Sequence, residues 1–130
     1  CETLTSIFCC QVNYKIQIYF KLCCWFLISL QVEFNNILKE AGNKLVVVDF
    51  TATWCGPCQR IAPVYEKMAA APENANVIFL KVDVDAAHDV SSSCGIRSMP
   101  TFQFYKNGQK LHEFSGADQA TLLKKVEELR

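Results

Sequence analysis

The sequence has no excess of charge of either sign. Its 130 residues carry thirteen basic and thirteen acidic side chains, and the lysines and arginines form no cluster. A protein that binds nucleic acid or an anionic membrane surface usually carries a basic patch. We therefore expect neither nucleic acid nor a membrane among the partners of this protein.

Residues 1–31 lack six amino acids that recur in the rest of the chain: Ala, Gly, Pro, Arg, Asp and Met. The segment is apolar, but its longest mainly apolar stretch, residues 22–30, is about half of the roughly 20 residues that a membrane-spanning helix needs. It has no initiating Met and no small-residue cleavage pattern, so a signal peptide fits poorly. Its adjacent cysteine pairs also have the wrong spacing for zinc ligands.

The composition of this segment suggests a cause at the level of the gene. Most of its residues can be written with T-rich codons, and "WFLISLQ" can encode a pyrimidine tract that ends in CAG, as introns do. We interpret residues 1–31 as intron read-through or a truncated start, and we predict one domain over residues 32–130. A membrane anchor, a signal peptide and a zinc site are the weaker alternatives.

The cysteines are distributed unevenly along the chain. Five of the eight lie in the first 24 residues, and only Cys55, Cys58 and Cys94 follow. So few thiols in about a hundred residues of ordinary apolar content are typical of a reduced, intracellular domain. In such a domain a closely spaced cysteine pair is catalytic or binds a metal.

Helical and strand patterns alternate after residue 31. The patterns predict, in order, a helix ending at Gly42-Asn43, a buried strand over 44–50, a helix containing Pro63, a buried strand over 77–85, a short helix ending at Gly95, a hairpin turning at Asn107-Gly108, and a closing helix with Leu122, Leu123 and Val126 inward. A strand, a helix and a strand in this order favour a parallel pair in a central sheet.

The stretch "CGPC" joins a predicted strand to a predicted helix. This places Cys55 at the amino terminus of the helix, where free backbone N–H groups and the positive end of the helix dipole stabilise a thiolate. Cys58 lies one turn further on and can attack a mixed disulfide formed on Cys55. Gly56 and Pro57 permit and stiffen the turn. The alternatives are a zinc knuckle, which lacks a second ligand pair, and a chance pair of structural thiols.

Five short motifs carry a resemblance to a known family. "VVVDF", "WCGPC", "KVDVD", "MPTF" and "FSGA" occur in the order and at the distances seen in thioredoxins, and residues 32–130 resemble an animal-type cytosolic thioredoxin. The resemblance implies an α/β thioredoxin fold, a central mixed β-sheet flanked by helices. It also implies a protein disulfide reductase that works by dithiol–disulfide exchange and maintains cell redox homeostasis.

The resemblance further implies how this activity is supported in the cell. No cofactor would be bound, and electrons would come from NADPH through thioredoxin reductase, with disulfide-containing proteins as substrates. The protein would be a cytoplasmic monomer, with the nucleus as a second location. A disulfide oxidase or isomerase of the secretory pathway is one alternative, and a redox-dependent binding partner of signalling proteins is another.

The resemblance assigns roles to the residues around the cysteine pair. Cys55 resembles the attacking cysteine and Cys58 the resolving one, while Trp54 resembles the indole that flanks the site and contacts substrate. Asp49 resembles the buried carboxylate behind the disulfide, with Lys81 as its basic partner. Since burial raises the pKa of a carboxyl, Asp49 would exchange a proton with Cys58 near neutral pH.

A second set of residues would form the substrate groove. Pro100 resembles the cis-proline that faces the cysteine pair, and the backbone of Met99 would pair with an extended substrate segment. Gly116 and Ala117 would form another wall of the groove. Cys94 matches a place where animal thioredoxins often carry an extra regulatory thiol, although we favour a plain buried or half-buried cysteine there.

The chain departs from the family pattern at its start. The family normally begins with a short strand that pairs into the sheet, and here that strand is absent or replaced. "NYKIQIYF", residues 13–20, alternates and is a candidate replacement, but nothing in it fixes the register. Without a replacement, the sheet would have an exposed edge.

Overall fold

The computed structural model describes residues 25–28 and 31–130, with side chains from Phe34 onward. The strands are β1 (Trp25–Ile28), β2 (Val46–Thr51), β3 (Ile78–Asp83), β4 (Thr101–Lys106) and β5 (Gln109–Ser115). The helices are α1 (Gln31–Ala41), α2 (Gly56–Ala70), α3 (His88–Ser93) and α4 (Gln119–Leu129), with a 3₁₀ turn at Pro72–Asn74. Within these residues, every helix is too short or too polar to cross a bilayer.

The five strands form one mixed sheet in the order β1-β3-β2-β4-β5. β3 is parallel to both β1 and β2, while β4 is antiparallel to β2 and to β5. The parallel β2-α2-β3 unit and the antiparallel hairpin are both as predicted. Asn107 and Gly108 have positive φ angles of 54° and 77°, which a two-residue hairpin turn requires. The predicted α/β class with a central mixed sheet is confirmed.

Two hydrophobic cores lie on the two faces of this sheet because residues of β2 alternate between them. Val46, Val48 and Phe50 pack against α1 and α3. Val47 packs against α2 and α4, in a cluster that also includes Phe79, Phe102 and Phe104. β2 is buried along its whole length, as a strand covered by helices on both faces must be.

The edge position next to β3 is occupied by β1. Its four residues run in register from Trp25 opposite Phe79 to Ile28 opposite Val82. The predicted candidate for this place, residues 13–20, lies outside the described residues, and the strand that the structure shows here is β1. β1 falls within residues 1–31, so the sheet begins before the predicted domain start at residue 32. The gene-level interpretation of residues 1–31 stays a prediction.

One core prediction in α4 is wrong. Leu122 and Val126 are buried, but Leu123 is 43% exposed. Leu122 and Val126 are four positions apart and share one helix face, whereas Leu123 is rotated by about 100° from Leu122. Leu123 lies beside Pro63 and Val64 in a surface groove between α2 and α4.

Candidate active site

Cys55 and Cys58 are joined by a disulfide at the start of α2, with their Cα atoms 5.3 Å apart. Cys55 is the N-cap residue, with extended backbone angles, and Pro57 lies in the first turn. The backbone N–H of Cys58 donates a hydrogen bond to the Sγ of Cys55 over 3.2 Å. A free helix donor therefore points at the sulfur of Cys55, which stabilises negative charge on that atom.

The two sulfurs differ in accessibility and neighbours. Cys55 keeps 6% of its surface exposed and Cys58 only 1%. The Sγ of Cys55 lies 3.7 Å from the carbonyl oxygen of Met99, and Met99 also packs against the small cluster that contains both cysteines. A substrate disulfide reaches the sulfur of Cys55 first, because Cys58 is the more deeply buried of the two.

Asp49 is a buried carboxylate on the same sheet face as α2. It is 1% exposed, and its Oδ1 has no hydrogen-bond partner among the described residues. Asp49 lies two residues after Val47, which packs under α2, so its side chain lies on the face that α2 covers. Burial raises the pKa of the Asp49 carboxyl from 3.8 to about 7, and the charge of Lys81 opposes this shift. This is the direction that the sequence analysis predicts for Asp49, and its role in proton transfer stays a prediction.

Lys81 and Tyr65 are the polar groups around Asp49. Lys81 is directly opposite Asp49 in the register of β2 and β3. The hydroxyl of Tyr65 donates to the carbonyl oxygen of Leu80 over 2.6 Å and lies 2.9 Å from that of Val47. The hydroxyl of Tyr65 is therefore engaged with the backbone of two strands, and Lys81 is the group whose charge lowers the pKa of Asp49.

The loop that enters β4 forms a second border of the site. The Met99–Pro100 peptide bond is cis, as predicted for Pro100. The backbone N–H of Gly116 donates to the carbonyl oxygen of Pro100 over 2.9 Å. Gly116 has a φ of 101°, which favours glycine. Gly116 and the exposed Ala117 therefore lie beside the cis-proline, where the predicted groove wall would be.

Trp54 is 66% exposed, and its orientation is fixed by a residue that the sequence did not single out. Its Nε1–H donates to Oδ2 of Asp85 over 2.8 Å. Nearby, the side-chain amide of Gln59 donates to the carbonyl oxygen of Ala52 over 3.0 Å and ties α2 to the preceding loop. β2 and β3 are parallel neighbours, so their carboxyl ends lie side by side. The predicted parallel pairing is therefore the sequence signal that could have placed Asp85, which follows β3, near Trp54, which follows β2.

Cys94 lies away from this pair, at the carboxyl end of α3. It is a free, half-buried thiol, and burial raises its pKa. The hydroxyl of Tyr105 lies 4.0 Å from its sulfur. Its predicted regulatory role stays a prediction.

No group of three or more metal-ligating side chains is present in the part of the chain that the structure describes. The reactive groups that the structure does place in the site are Cys55 and Cys58. A disulfide on a helix amino terminus, beside a cis-proline and in front of a buried carboxylate, defines a thiol–disulfide oxidoreductase.

Comparison with known proteins assigns this site to a family. A family model described as Thioredoxin matches residues 26–128. The thioredoxin of Ictalurus punctatus is 63% identical over 93 residues, which are 72% of this chain and 87% of that protein. The thioredoxin of Homo sapiens is 51% identical over 102 residues, 78% of this chain and 95% of that protein. The crystal structure of Malassezia sympodialis thioredoxin, 45% identical, superposes with a TM-score of 0.74 over 79% of this chain and 90% of its own.

The chain belongs to the thioredoxin family. It is a protein disulfide reductase that acts by dithiol–disulfide exchange through Cys55 and Cys58, and it serves the redox homeostasis typical of this family. Thioredoxins act without a bound cofactor, and in general they have disulfide substrates and a reductase partner.

Proposed function

We propose that this protein is a cytoplasmic, monomeric electron carrier that receives electrons from NADPH through thioredoxin reductase and passes them to protein disulfides. The observation that carries the proposal is the Cys55–Cys58 disulfide at the amino terminus of α2, with the accessible sulfur in front and the buried one behind. The similarity to animal thioredoxins supports the electron source and the location, which is expected to include the nucleus.

The reaction has two steps, and Cys55 performs the first. In the reduced protein the Cys55 thiolate attacks one sulfur of the substrate disulfide. A new S–S bond forms between Cys55 and the substrate, the substrate S–S bond breaks, and the second substrate sulfur leaves as a thiolate that takes up a proton. The hydrogen bond from the N–H of Cys58 stabilises the attacking thiolate.

Cys58 performs the second step. Its thiol loses a proton, and the resulting thiolate attacks the Sγ of Cys55. The S–S bond between Cys55 and the substrate breaks, and the substrate sulfur leaves as a thiolate that takes up a proton. Two electrons have then moved to the substrate, and the Cys55–Cys58 disulfide remains. We assign the proton transfer to Asp49, because a carboxyl with a pKa of about 7 is present in both protonation states near neutral pH. Lys81 would hold that pKa within this range.

The substrate segment would lie against the surface formed by Trp54 and the cis-proline loop. The exposed indole of Trp54 offers an apolar contact. The carbonyl group of Met99, 3.7 Å from the Sγ of Cys55, is placed to accept a hydrogen bond from an extended substrate backbone. The remaining walls would be Gly56 and Pro57 on the helix side, and Pro100, Gly116 and Ala117 on the side of β4 and β5.

The proposal is tested by coupling the full chain to thioredoxin reductase, NADPH and insulin. Oxidation of NADPH that depends on the chain and on insulin would support it, and the loss of this signal in Cys55→Ser would assign the electrons to the proposed pair. The variant Cys94→Ser is the matched control, because it removes a thiol outside the site. If dithiothreitol can drive insulin reduction but NADPH with reductase cannot, the proposed electron source is wrong while the reductase activity stands.

A separate experiment tests the role of Asp49. Single-turnover reduction of a peptide disulfide by the pre-reduced Asp49→Asn variant should stall after the first step and accumulate the mixed disulfide on Cys55. We expect the second step to slow by about a hundredfold, the lower end of the range for general base catalysis. Mixed disulfide that resolves as fast as in the unmodified chain would exclude Asp49 as the proton acceptor.

A further inference from the structure

The first turn of α2 carries a cation beside the attacking cysteine. A Cβ atom placed on Gly56 would lie 3.7 Å from the Nη1 atom of Arg60. Gly56 follows Cys55 directly, and consecutive Cα atoms are about 3.8 Å apart. The guanidinium group of Arg60 therefore lies over the backbone next to the attacking residue.

The helix geometry explains why Arg60 reaches this place. Gly56 and Arg60 are four positions apart in α2 and share one face. Side chains of a helix lean toward its amino terminus, so the long arginine side chain points back over Gly56. Because Gly56 has no side chain, that space is left to the guanidinium.

A substrate can reach the positive charge of Arg60, because the residue is exposed. Arg60 takes no part in the surface ion pairs Lys110–Glu113 and Lys125–Glu128. Trp54 and Gly56 flank Cys55 in the chain, and Trp54 is hydrogen-bonded to the exposed carboxylate of Asp85. A cation thus accompanies the residue after Cys55, and an anion accompanies the residue before it.

We propose that Arg60 is a specificity residue that selects disulfides flanked by an acidic side chain on the side that faces Gly56. The guanidinium presents several N–H donors in one plane, which suits a carboxylate. Asp85 disfavours a substrate that places its acidic residue at the Trp54 end, so the pair also sets the direction of the bound segment. This inference rests on the disulfide reductase function of Cys55 and Cys58.

The test compares three synthetic peptides that each contain one internal disulfide and differ only beside the attacked cysteine, where they carry Glu, Gln or Lys. The pre-reduced full chain is mixed with each peptide at low ionic strength, and the second-order rate constant is measured in a single turnover. The measured quantity is the ratio of the Glu to the Gln rate constant. A change in the reactivity of Cys55 itself would affect all peptides equally and cancel in this ratio.

We expect the unmodified chain to prefer the Glu peptide by about two- to fivefold, the range of one exposed ion pair, with the Lys peptide slowest. In Arg60→Gln the ratio should fall to near one, and Arg60→Lys should keep part of the preference. Lys67→Gln is the matched control, since it removes one positive charge from the last turn of the same helix, and it should keep the full ratio. Added salt should reduce the preference of the unmodified chain.

Three outcomes would overturn the inference. One is an unmodified chain without preference, another is an Arg60→Gln variant that keeps the ratio, and the third is a Lys67→Gln variant that loses as much as Arg60→Gln. The last would show an effect of net charge rather than of Arg60. If the unmodified chain reduces no peptide at all, the reductase function itself fails, and this inference fails with it.

Discussion

Cys55 and Cys94 occupy opposite ends of helices, and their environments differ accordingly. Cys55 caps the amino terminus of α2 and accepts a hydrogen bond from a backbone N–H, whereas Cys94 caps the carboxyl terminus of α3. Cys94 is the more exposed of the two, since it is half-buried while Cys55 is 6% exposed. Accessibility alone would therefore select the wrong thiol. The backbone N–H groups at the start of α2 stabilise a thiolate on Cys55, whereas burial raises the pKa of the Cys94 thiol. The surroundings of each sulfur therefore favour Cys55 as the reacting cysteine, although Cys94 is the more exposed.

The largest expected effect follows from removing each thiol in turn. Cys55→Ser should lower the rate of insulin reduction by more than about a thousandfold, because the attacking atom is lost. Cys94→Ser should leave this rate essentially unchanged. Both rates are measured with dithiothreitol as the reductant. A large loss of activity in Cys94→Ser would break the comparison and give Cys94 a place in the mechanism.

Asp49 should make the stability of the protein depend on pH. Its pKa is about 7 in the folded protein and 3.8 in its ordinary state, so the folded state holds the proton more tightly. The stabilisation is fully present below pH 4 and is lost as the pH rises through 7. Relative to Asp49→Asn, the free energy of unfolding should fall by about 4 kcal/mol over this interval.

This pH dependence is measured by urea unfolding of the oxidised chain and of Asp49→Asn at several pH values between 4 and 8. The Asn variant is the control, because it has nearly the same shape and does not titrate. Parallel curves for the two proteins would show that Asp49 is not the titrating group. That result would also remove the basis for assigning it the proton transfer.

Alkylation rates compare the two thiols directly. In the reduced protein at pH 7, iodoacetamide should modify Cys55 at least about tenfold faster than Cys94, since the helix amino terminus stabilises the Cys55 thiolate while burial raises the pKa of Cys94. Mass spectrometry of the digested protein follows each cysteine in its own peptide. Equal rates would mean that the greater exposure of Cys94 offsets the stabilisation of the Cys55 thiolate at the helix amino terminus.

The smallest expected effect concerns the partner of Cys94. The hydroxyl of Tyr105 donates to Oε1 of Gln103 over 2.6 Å and makes only a long, weak contact of 4.0 Å with the sulfur of Cys94. This contact lowers the pKa of Cys94, against the larger effect of burial. Tyr105→Phe should therefore slow the alkylation of Cys94, by about twofold if this weak bond is worth a few tenths of a kcal/mol. The alkylation rate of Cys55 in the same sample is the internal control. Faster alkylation of Cys94 would show that Tyr105 shields the sulfur instead of polarising it.

Most of the fold can be predicted from local sequence patterns. The β-branched run before the cysteines became the fully buried β2, and the Asn107-Gly108 pair became the hairpin turn. These features follow from residue types and short spacings, which is why they are visible in one sequence. The resemblance supplied what local patterns could not, above all the link between the buried Asp49 and the cysteine pair.

Features that depend on tertiary packing were missed. The hydrogen bond from Trp54 to Asp85 joins residues 31 positions apart, and it exists only because β2 and β3 are neighbours. Gln103 is completely buried and donates to Glu113 on the adjacent strand, although its polarity suggests the surface. Leu123 was placed inside because it is apolar, yet α4 turns it outward. Each case needs knowledge of which elements lie side by side.

β1 shows how the edge of this sheet is held by main-chain groups. It adds four residues to the sheet as a parallel strand on β3, and a parallel ladder is made of main-chain groups that every residue except proline can supply. The reactive centre is built entirely from segments that follow it. The ladder between β1 and β3 therefore makes little demand on the side chains of β1, and the covalent chemistry is left to segments that this strand does not enter.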